Sequence, residues 1–403
     1  MDAKLFGATL ASLRRKKGYT QTALAERLGL SNKTVSKWEN GQGYPDIVCL
    51  PSLANLLDVT VDDLLSEKRR GITVAGTLIV DRVKNIDRFP PQGMLANILS
   101  VKRAVGGCAP NTATDLAVID STIPISVIGC VGDDEDGRFL MTSLQKHGID
   151  ISDIRVLYNE QTSFCDVMSL PTGERTFFSC RGANARFSPD DVDASALSCQ
   201  LFHIGYILLL DQFDAADEEY GTVMARFLHD LKEKDIKTSV DVVSSSTGDY
   251  PEKILPVLPY TDYLIINEVE ICNAWGENPR REDGTLDMET IQRVMKKTMA
   301  RGVKEKVVIH AKEAGFCLSA DGTFTKMGSL RIPSEMIAGS VGAGDAYCAG
   351  CLYAIYNGYT DEEMLKFASA AAACNLFAEN SVDGMRSKKE IYKLMERFGR
   401  YPV

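Results

Sequence analysis

The sequence predicts two folds in series: a small all-α bundle, then an α/β domain whose parallel sheet carries helices on both faces. Three observations predict this. Residues 4–66 show apolar residues at helical spacing, interrupted by capping residues and glycines. From Gly71 onward, short runs rich in β-branched residues alternate with helix-length stretches, the pattern of a sheet covered on both sides. Charge divides at the same place. Residues 1–70 hold 11 Lys and Arg against 8 Asp and Glu, a net of +3, leaving 34 against 47, or −13, for the remainder. A basic head can meet phosphate, whereas an acidic body is repelled by it except at a local site.

In the head, Leu5, Leu10 and Leu13 define a first helix that Gly18 ends. Thr20 begins a second with Ala23, Leu24 and Leu28, and Ser31 caps a third over 32–40 that stops at Asn40-Gly41. Two short apolar helices follow at about 46–57 and 61–66. The predicted head is residues 1–66 and the linker 67–71. The body, 72–398, opens with a strand at 72–75. Further strands are predicted at 125–128, 201–204, 238–243, 263–266 and 306–309.

The 11 cysteines are odd in number and show no framework spacing, and no apolar leader follows Met1, so the expected compartment is the reducing cytoplasm. Cys348 and Cys351 form a C-x-x-C inside an apolar, small-residue helix and read as buried structural thiols. No apolar run reaches the roughly 18 residues that cross a bilayer, so no membrane partner is expected.

Arg14 to Gln21, Leu24-Ala25, Leu28 to Ser31 and Val35 to Gly41 together resemble the helix-turn-helix of phage repressors and Cro. Gly29 permits the turn, Ala25, Leu30 and Val35 pack the two helices, and the start of the third helix can enter a major groove. The resemblance implies that Asn32, Lys33 and Lys37 face base edges and that Gln21 and Asn40 contact phosphates. Arg14 and Glu39 would form a structural ion pair, and operator DNA would be the partner.

The body lacks G-x-x-x-x-G-K-[S/T], so a P-loop is excluded. Gly339-Ser340-Val341-Gly342-Ala343-Gly344-Asp345 instead runs into a helical stretch at 346–356. Small residues let backbone approach a phosphate, a helix N-terminus offers free N–H groups, and an adjacent carboxylate can take a proton from an attacking hydroxyl. Four more segments accompany it. They are Gly76 to Asp81, Gly106-Gly107-Cys108-Ala109-Pro110-Asn111, Gly132 to Gly137 and Asn267-Glu268-Val269-Glu270; Gly182-Ala183-Asn184 lies between the last two. In this order they resemble the ribokinase-like carbohydrate kinases over about 71–395.

That resemblance implies a parallel-sheet sandwich with a small β-lid at about 81–101 and 163–179, turning at Pro171-Thr172-Gly173-Glu174. It implies Asp345 as catalytic base, Gly342, Ala343 and Gly344 as the anion hole, and Asp81, Gly106, Gly107 and Asn111 as holders of substrate hydroxyls. Asn267, Ser340, Lys312 and Gly315 would serve the nucleotide, and Glu270 would serve Mg²⁺ through water. The implied reaction is ATP-dependent phosphorylation of a sugar-like alcohol, with Mg²⁺, ATP and a monovalent cation as cofactors and a homodimer as assembly. Departures from the family pattern are Gly339 for an aspartate, Ser340 for threonine, Lys312 for a glycine, Ile79 for an asparagine and Cys108 for a lysine. Ile79 and Cys108 point away from ribose, Ser340 retains the hydroxyl of threonine, and Gly339 and Lys312 leave a non-catalytic ligand sensor as the alternative. His310 reads as a strand-end residue and Arg175 as a solvated lid arginine.

Overall fold

The computed structural model describes residues 3–65, 69–170, 174–244 and 249–403. The turn expected at 171–174 therefore falls almost wholly outside the described residues, as do residues 67 and 68 of the linker.

The head packs α1 (Ala3–Lys16), α2 (Gln21–Leu28), α3 (Asn32–Glu39), α4 (Leu50–Leu57) and α5 (Val61–Leu64) around Phe6, Leu10, Leu24, Val35, Trp38, Leu53 and Leu57. Local chemistry sets the ends. Thr20 Oγ1 accepts from Ala23 N, Ser31 Oγ accepts from Thr34 N, and Gly29 at φ 69° closes α2 in the left-handed conformation. Gly7 lies so close to the carbonyls of Trp38 and Glu39 that any Cβ would collide with them, which brings α1 tight against α3.

The body begins with β1 (Ile72–Ala75), β2 (Ile79–Ile86), β3 (Ile98–Gly106) and α6 (Cys108–Ile119), then β4 (Ile125–Gly132), α7 (Glu135–Lys146) and β5 (Ile154–Leu157). Next come β6 (Phe164–Ser169), β7 (Arg175–Cys180), β8 (Leu201–Ile207), a short hairpin of β9 (Ala216–Asp217) and β10 (Gly221–Thr222), α8 (Val223–Lys232) and β11 (Lys237–Val242). The chain continues through α9 (Tyr250–Ile254), β12 (Tyr263–Asn267), α10 (Glu268–Ala274), α11 (Met288–Arg301), β13 (Lys306–His310), β14 (Ala314–Ser319) and β15 (Phe324–Gly328). Three helices close it: α12 (Ala343–Tyr356), α13 (Asp361–Asn375) and α14 (Lys388–Arg397).

Nine strands form the main sheet in the order β15-β14-β13-β12-β11-β8-β1-β4-β5. It is parallel from β5 to β13, and β14 and β15 add an antiparallel edge that the strand pattern did not indicate. Each face carries its own apolar layer. One is built on Leu116, Val127, Leu352 and Phe367, the other on Phe202, Phe213, Leu228 and Ile291. Both faces of a parallel strand are covered, so the centres of β12 (264–266) and β13 (307–309) are unbroken, buried apolar runs.

A second sheet, β3-β2-β6-β7, stands off the C-terminal ends of β1 and β4 and includes both segments expected to form a lid. Asp136 ties it down, accepting from Arg82 at 2.6 Å and from Arg103 at 3.1 Å. Asn184 bonds both N and O of Leu78, which fixes the chain where it leaves the main sheet. The Gly182-Ala183-Asn184 and Gly132 to Gly137 segments are thus structural brackets at the root of that sheet.

Candidate active site and DNA-reading face

The start of α12 organises the body's site. Gly342 occupies its N-cap at φ 77°, and a Cβ there would collide with Ser381. No side chain caps this end, so the positive end of the helix dipole and first-turn N–H groups beyond that of Ala343, which donates to Ser340 O, are available to an anion. The helix begins at Ala343, three residues earlier than the sequence indicates, which places Asp345 within its first turn.

Asp345 is 4% exposed, and its Oδ2 accepts from Asn111 Nδ2 at 2.8 Å and from the Tyr206 hydroxyl at 3.1 Å. Burial raises its pKa to about 6 while those two donors pull it down, a setting suited to a base near neutral pH. Asn111 is therefore committed to the carboxylate through its amide nitrogen, leaving Oδ1 buried without a partner. Asp81 stands at the root of the second sheet, against Gly106, where a side chain would strike its carboxylate. Burial, then the charge of Asp345, raises Asp81 to about 7, while Arg175 lowers it. Asp81, Asn111 and Asp345 thus converge, with Gly107 at φ 88° turning the chain from β3 into α6.

A cavity of about 220 Å³ beside Asp345 is lined by Gly342, Gly344, Tyr206, Asp241, Asn267 and Glu270, among others. Asn267 and Glu270 form a capping box at the start of α10: Asn267 Oδ1 accepts from Glu270 N at 2.8 Å, and Glu270 Oε2 accepts from Asn267 N at 3.2 Å. Glu270 Oε1 accepts from Ser244 Oγ at 2.8 Å, and burial raises the acid to about 7. With both oxygens engaged, Glu270 fits a hydrated ion better than direct ligation.

A second cavity of about 510 Å³ flanks the same helix start and is lined by Lys312, Ser340, Ala343, Tyr347, Leu330 and Leu376, among others. Gly315 does not line it. A Cβ there would strike the Tyr347 hydroxyl, so the glycine makes room for that ring. His310 is stacked on Tyr347 with ring centroids 4.8 Å apart, and burial holds it neutral, its pKa lowered to about 4.

The sequence reading missed Tyr206 and Asp241. Tyr206 sits at φ 63°, a conformation costly for a bulky residue, and its N donates to Asp241 Oδ1 at 2.7 Å. One signal was available: Asp241 is a carboxylate set between Val240 and Val242 at the end of the strand β11.

On the head, Asn32, Lys33 and Lys37 are exposed along α3. Arg14 pairs with Glu39 through two bonds of 2.6 and 2.9 Å. Gln21 Nε2 donates to Glu39 Oε2 at 2.7 Å, and Asn40 Nδ2 donates to Ser36 Oγ at 3.3 Å, so a phosphate would compete with partners both already have.

Residues 69–388 match the model of the pfkB family carbohydrate kinases. The chain belongs to that family. Residues 10–64 match a helix-turn-helix model. Arabidopsis thaliana ribokinase is 25% identical over 327 residues, covering 81% of this chain and 81% of that protein. Over 84 residues the chain is 41% identical to the HTH-type transcriptional activator BcrR of Enterococcus faecalis, covering 21% of this chain and 41% of that protein. Ribokinase II of E. coli, solved with ATP and Mg²⁺, superposes with a TM-score of 0.65 at 20% identity, covering 81% of this chain and 99% of that one. A carbohydrate kinase domain therefore follows a helix-turn-helix head. Among the described residues, no helix is long and apolar enough to cross a membrane.

Proposed function

We propose that this chain transfers the γ-phosphoryl group of ATP to a hydroxyl of a sugar-like small molecule and also binds operator DNA through its head, placing transcription under the control of the kinase's own ligand. The observation that carries the catalytic half is Asp345, held by Asn111 and Tyr206 at the uncapped start of α12. Asp81 and Asn111 would orient the substrate, and Asp345 would accept the proton of the attacking hydroxyl. The first-turn N–H groups of α12 would face the charge that develops on the transferred group.

Mg²⁺ would neutralise phosphate charge, with Asn267 and Glu270 reaching it through water. Lys312 and Ser340 would meet the nucleotide, and a monovalent cation would support the anion hole. The non-catalytic alternative rests on Gly339 and Lys312, but the intact Asp81, Asn111, Asp345 constellation favours catalysis. ADP release with Mg·ATP across sugars, nucleosides and polyols tests the reading. Release above the ATPase background with one class supports it, and a flat panel from protein that binds a panel member leaves the sensor.

The head's Asn32, Lys33 and Lys37 would read bases, with Gln21 and Asn40 on phosphates. Such heads act in pairs because one helix reads few base pairs. The second sheet exposes Ile98, Leu99, Val101, Phe177 and Phe178, a surface suited to a homodimer. All 11 cysteines are free, which suits the cytoplasm. Operator affinity measured at fixed salt with and without saturating substrate tests the coupling. A shift of about 1 to 3 kcal/mol supports it, and unchanged affinity separates the two activities.

A further inference from the structure

At the wall of the cavity beside Asp345, three donors meet that the phosphoryl-transfer reading does not use. His203 is on β8, Asp241 on β11 and Cys348 on α12, at 0%, 7% and 1% exposure. Among the described residues, theirs is the one group of His, Cys, Asp or Glu whose ligand atoms converge, all within 4.8 Å of one another. His203 Nδ1 lies 3.1 Å from Ser239 Oγ, which leaves Nε2 facing the cluster. Nε2 lies 3.7 Å from Cys348 Sγ and 3.8 Å from Asp241 Oδ2.

The separation from the carboxylate is long for a hydrogen bond between nitrogen and oxygen, while that from the sulfur is within reach of a weak thiol hydrogen bond. Both are close to the edges of a metal tetrahedron. With Zn–N and Zn–O near 2.0 to 2.2 Å and Zn–S near 2.3 Å, the edges are about 3.4 to 3.6 Å. The thiol also lies 4.0 Å from Nδ1, so it must swing toward Nε2 to close the site. A second thiol is at hand: a Cβ built on Gly205 would meet Asp241 Oδ1 at 2.6 Å and Cys108 Sγ at 3.0 Å, so both groups crowd the same glycine. Asp241 and Cys348 both line the cavity, which supplies an entry path and an open side for a further ligand.

We propose that His203, Asp241 and Cys348 form a binding site for a thiophilic divalent cation, Zn²⁺ in class, which acts as a brake on the adjacent catalytic carboxylate. As the S–Zn and O–Zn bonds form, the Cys348 thiol proton and the proton that burial favours on the Asp241 carboxyl pass to solvent, and neutral His203 donates its Nε2 lone pair. Cys348 lies one helical turn beyond Asp345. Asp241 holds the backbone of Tyr206, whose hydroxyl bonds Asp345. An ion that draws Asp241 and Cys348 together therefore disturbs the support of Asp345. Hard, octahedral Mg²⁺ is a poor match for a thiolate and an imidazole, so this site is chemically distinct from the one assigned to Asn267 and Glu270.

The test titrates metal-free, full-length protein with Co²⁺ and Zn²⁺. The wild type is expected to bind one equivalent, with a thiolate-to-cobalt charge-transfer band and the intense visible bands of four-coordinate Co²⁺. Cys348→Ala should lose the charge-transfer band and bind Zn²⁺ at least tenfold more weakly, and Cys348→Ser, which preserves volume, should do the same. His203→Gln and Asp241→Asn should weaken Zn²⁺ yet keep the band. A wild type without the band, or a band that survives in both Cys348 variants and so belongs to another thiol, overturns the site. These readouts need no turnover, so they stand apart from the kinase reading. Zn²⁺-saturated wild type that releases ADP as fast as metal-free protein overturns the brake.

Discussion

Replacing Asp345 by asparagine separates catalytic from structural roles, because the two predict opposite changes in stability. Both donors to Asp345 use Oδ2, so an asparagine carbonyl can take that place and keep the bonds from Asn111 and Tyr206, with the amide nitrogen at the position of Oδ1. Binding of substrate should be nearly unchanged. Turnover should fall by about 10²- to 10⁴-fold, the range for a lost general base.

The stability change follows from linkage. The folded pKa, about 6, lies above the ordinary 3.8, so between those values the folded state holds the proton more tightly than the unfolded chain. Native stability from this group is therefore fully present below pH 3.8 and is lost as pH rises through about 6. A shift of about two units corresponds to about 3 kcal/mol, an upper bound for a buried carboxylate. Asp345→Asn carries no such charge, so it should match the wild type in denaturant midpoint near pH 4 and exceed it near pH 8. Wild-type kcat, in turn, should fall as pH drops through about 6. The assays are ADP release and urea unfolding at the two pH values. Near wild-type turnover in the variant, or a variant less stable than wild type at pH 8, would refute the assignment of Asp345 as a buried, ionised base.

Lys33→Ala and Lys37→Ala should each weaken operator binding by about 1 to 3 kcal/mol if the side chain reads a base pair, with ADP release unchanged. An equal loss on random DNA moves them to phosphates. Arg14→Ala should destabilise the head by about 3 to 5 kcal/mol, because it leaves Glu39 buried without its bidentate partner. Loss of operator binding with kinase activity retained is the expected pattern, and a head of unchanged thermal stability would contradict it. Gly342→Ala forces a side chain at φ 77° into Ser381, so kcat/KM for ATP should fall at least tenfold while the far-ultraviolet dichroism stays native. Wild-type kinetics in that variant would remove Gly342 from the anion hole.

Caps, turn glycines and apolar periods act within a few residues, so the sequence alone determined the head's helices, several body strands to within a residue or two, and Gly342 beside Asp345. The acidic body and basic head were legible for the same reason, as was the Arg14–Glu39 pair through its motif. Tertiary structure decided what meets what. Tyr206, Asp241, His203 and Cys348 come from β8, β11 and α12, and they converge only because the sheet runs β12-β11-β8-β1 with α12 against it. Strand order depends on long-range burial of both sheet faces, which no local pattern records. The same packing gave Gly315 to Tyr347 rather than to the second cavity, engaged both oxygens of Glu270 in the α10 cap, and turned a C-x-x-C of ordinary buried thiols into a chain segment whose first sulfur faces an imidazole and a carboxylate.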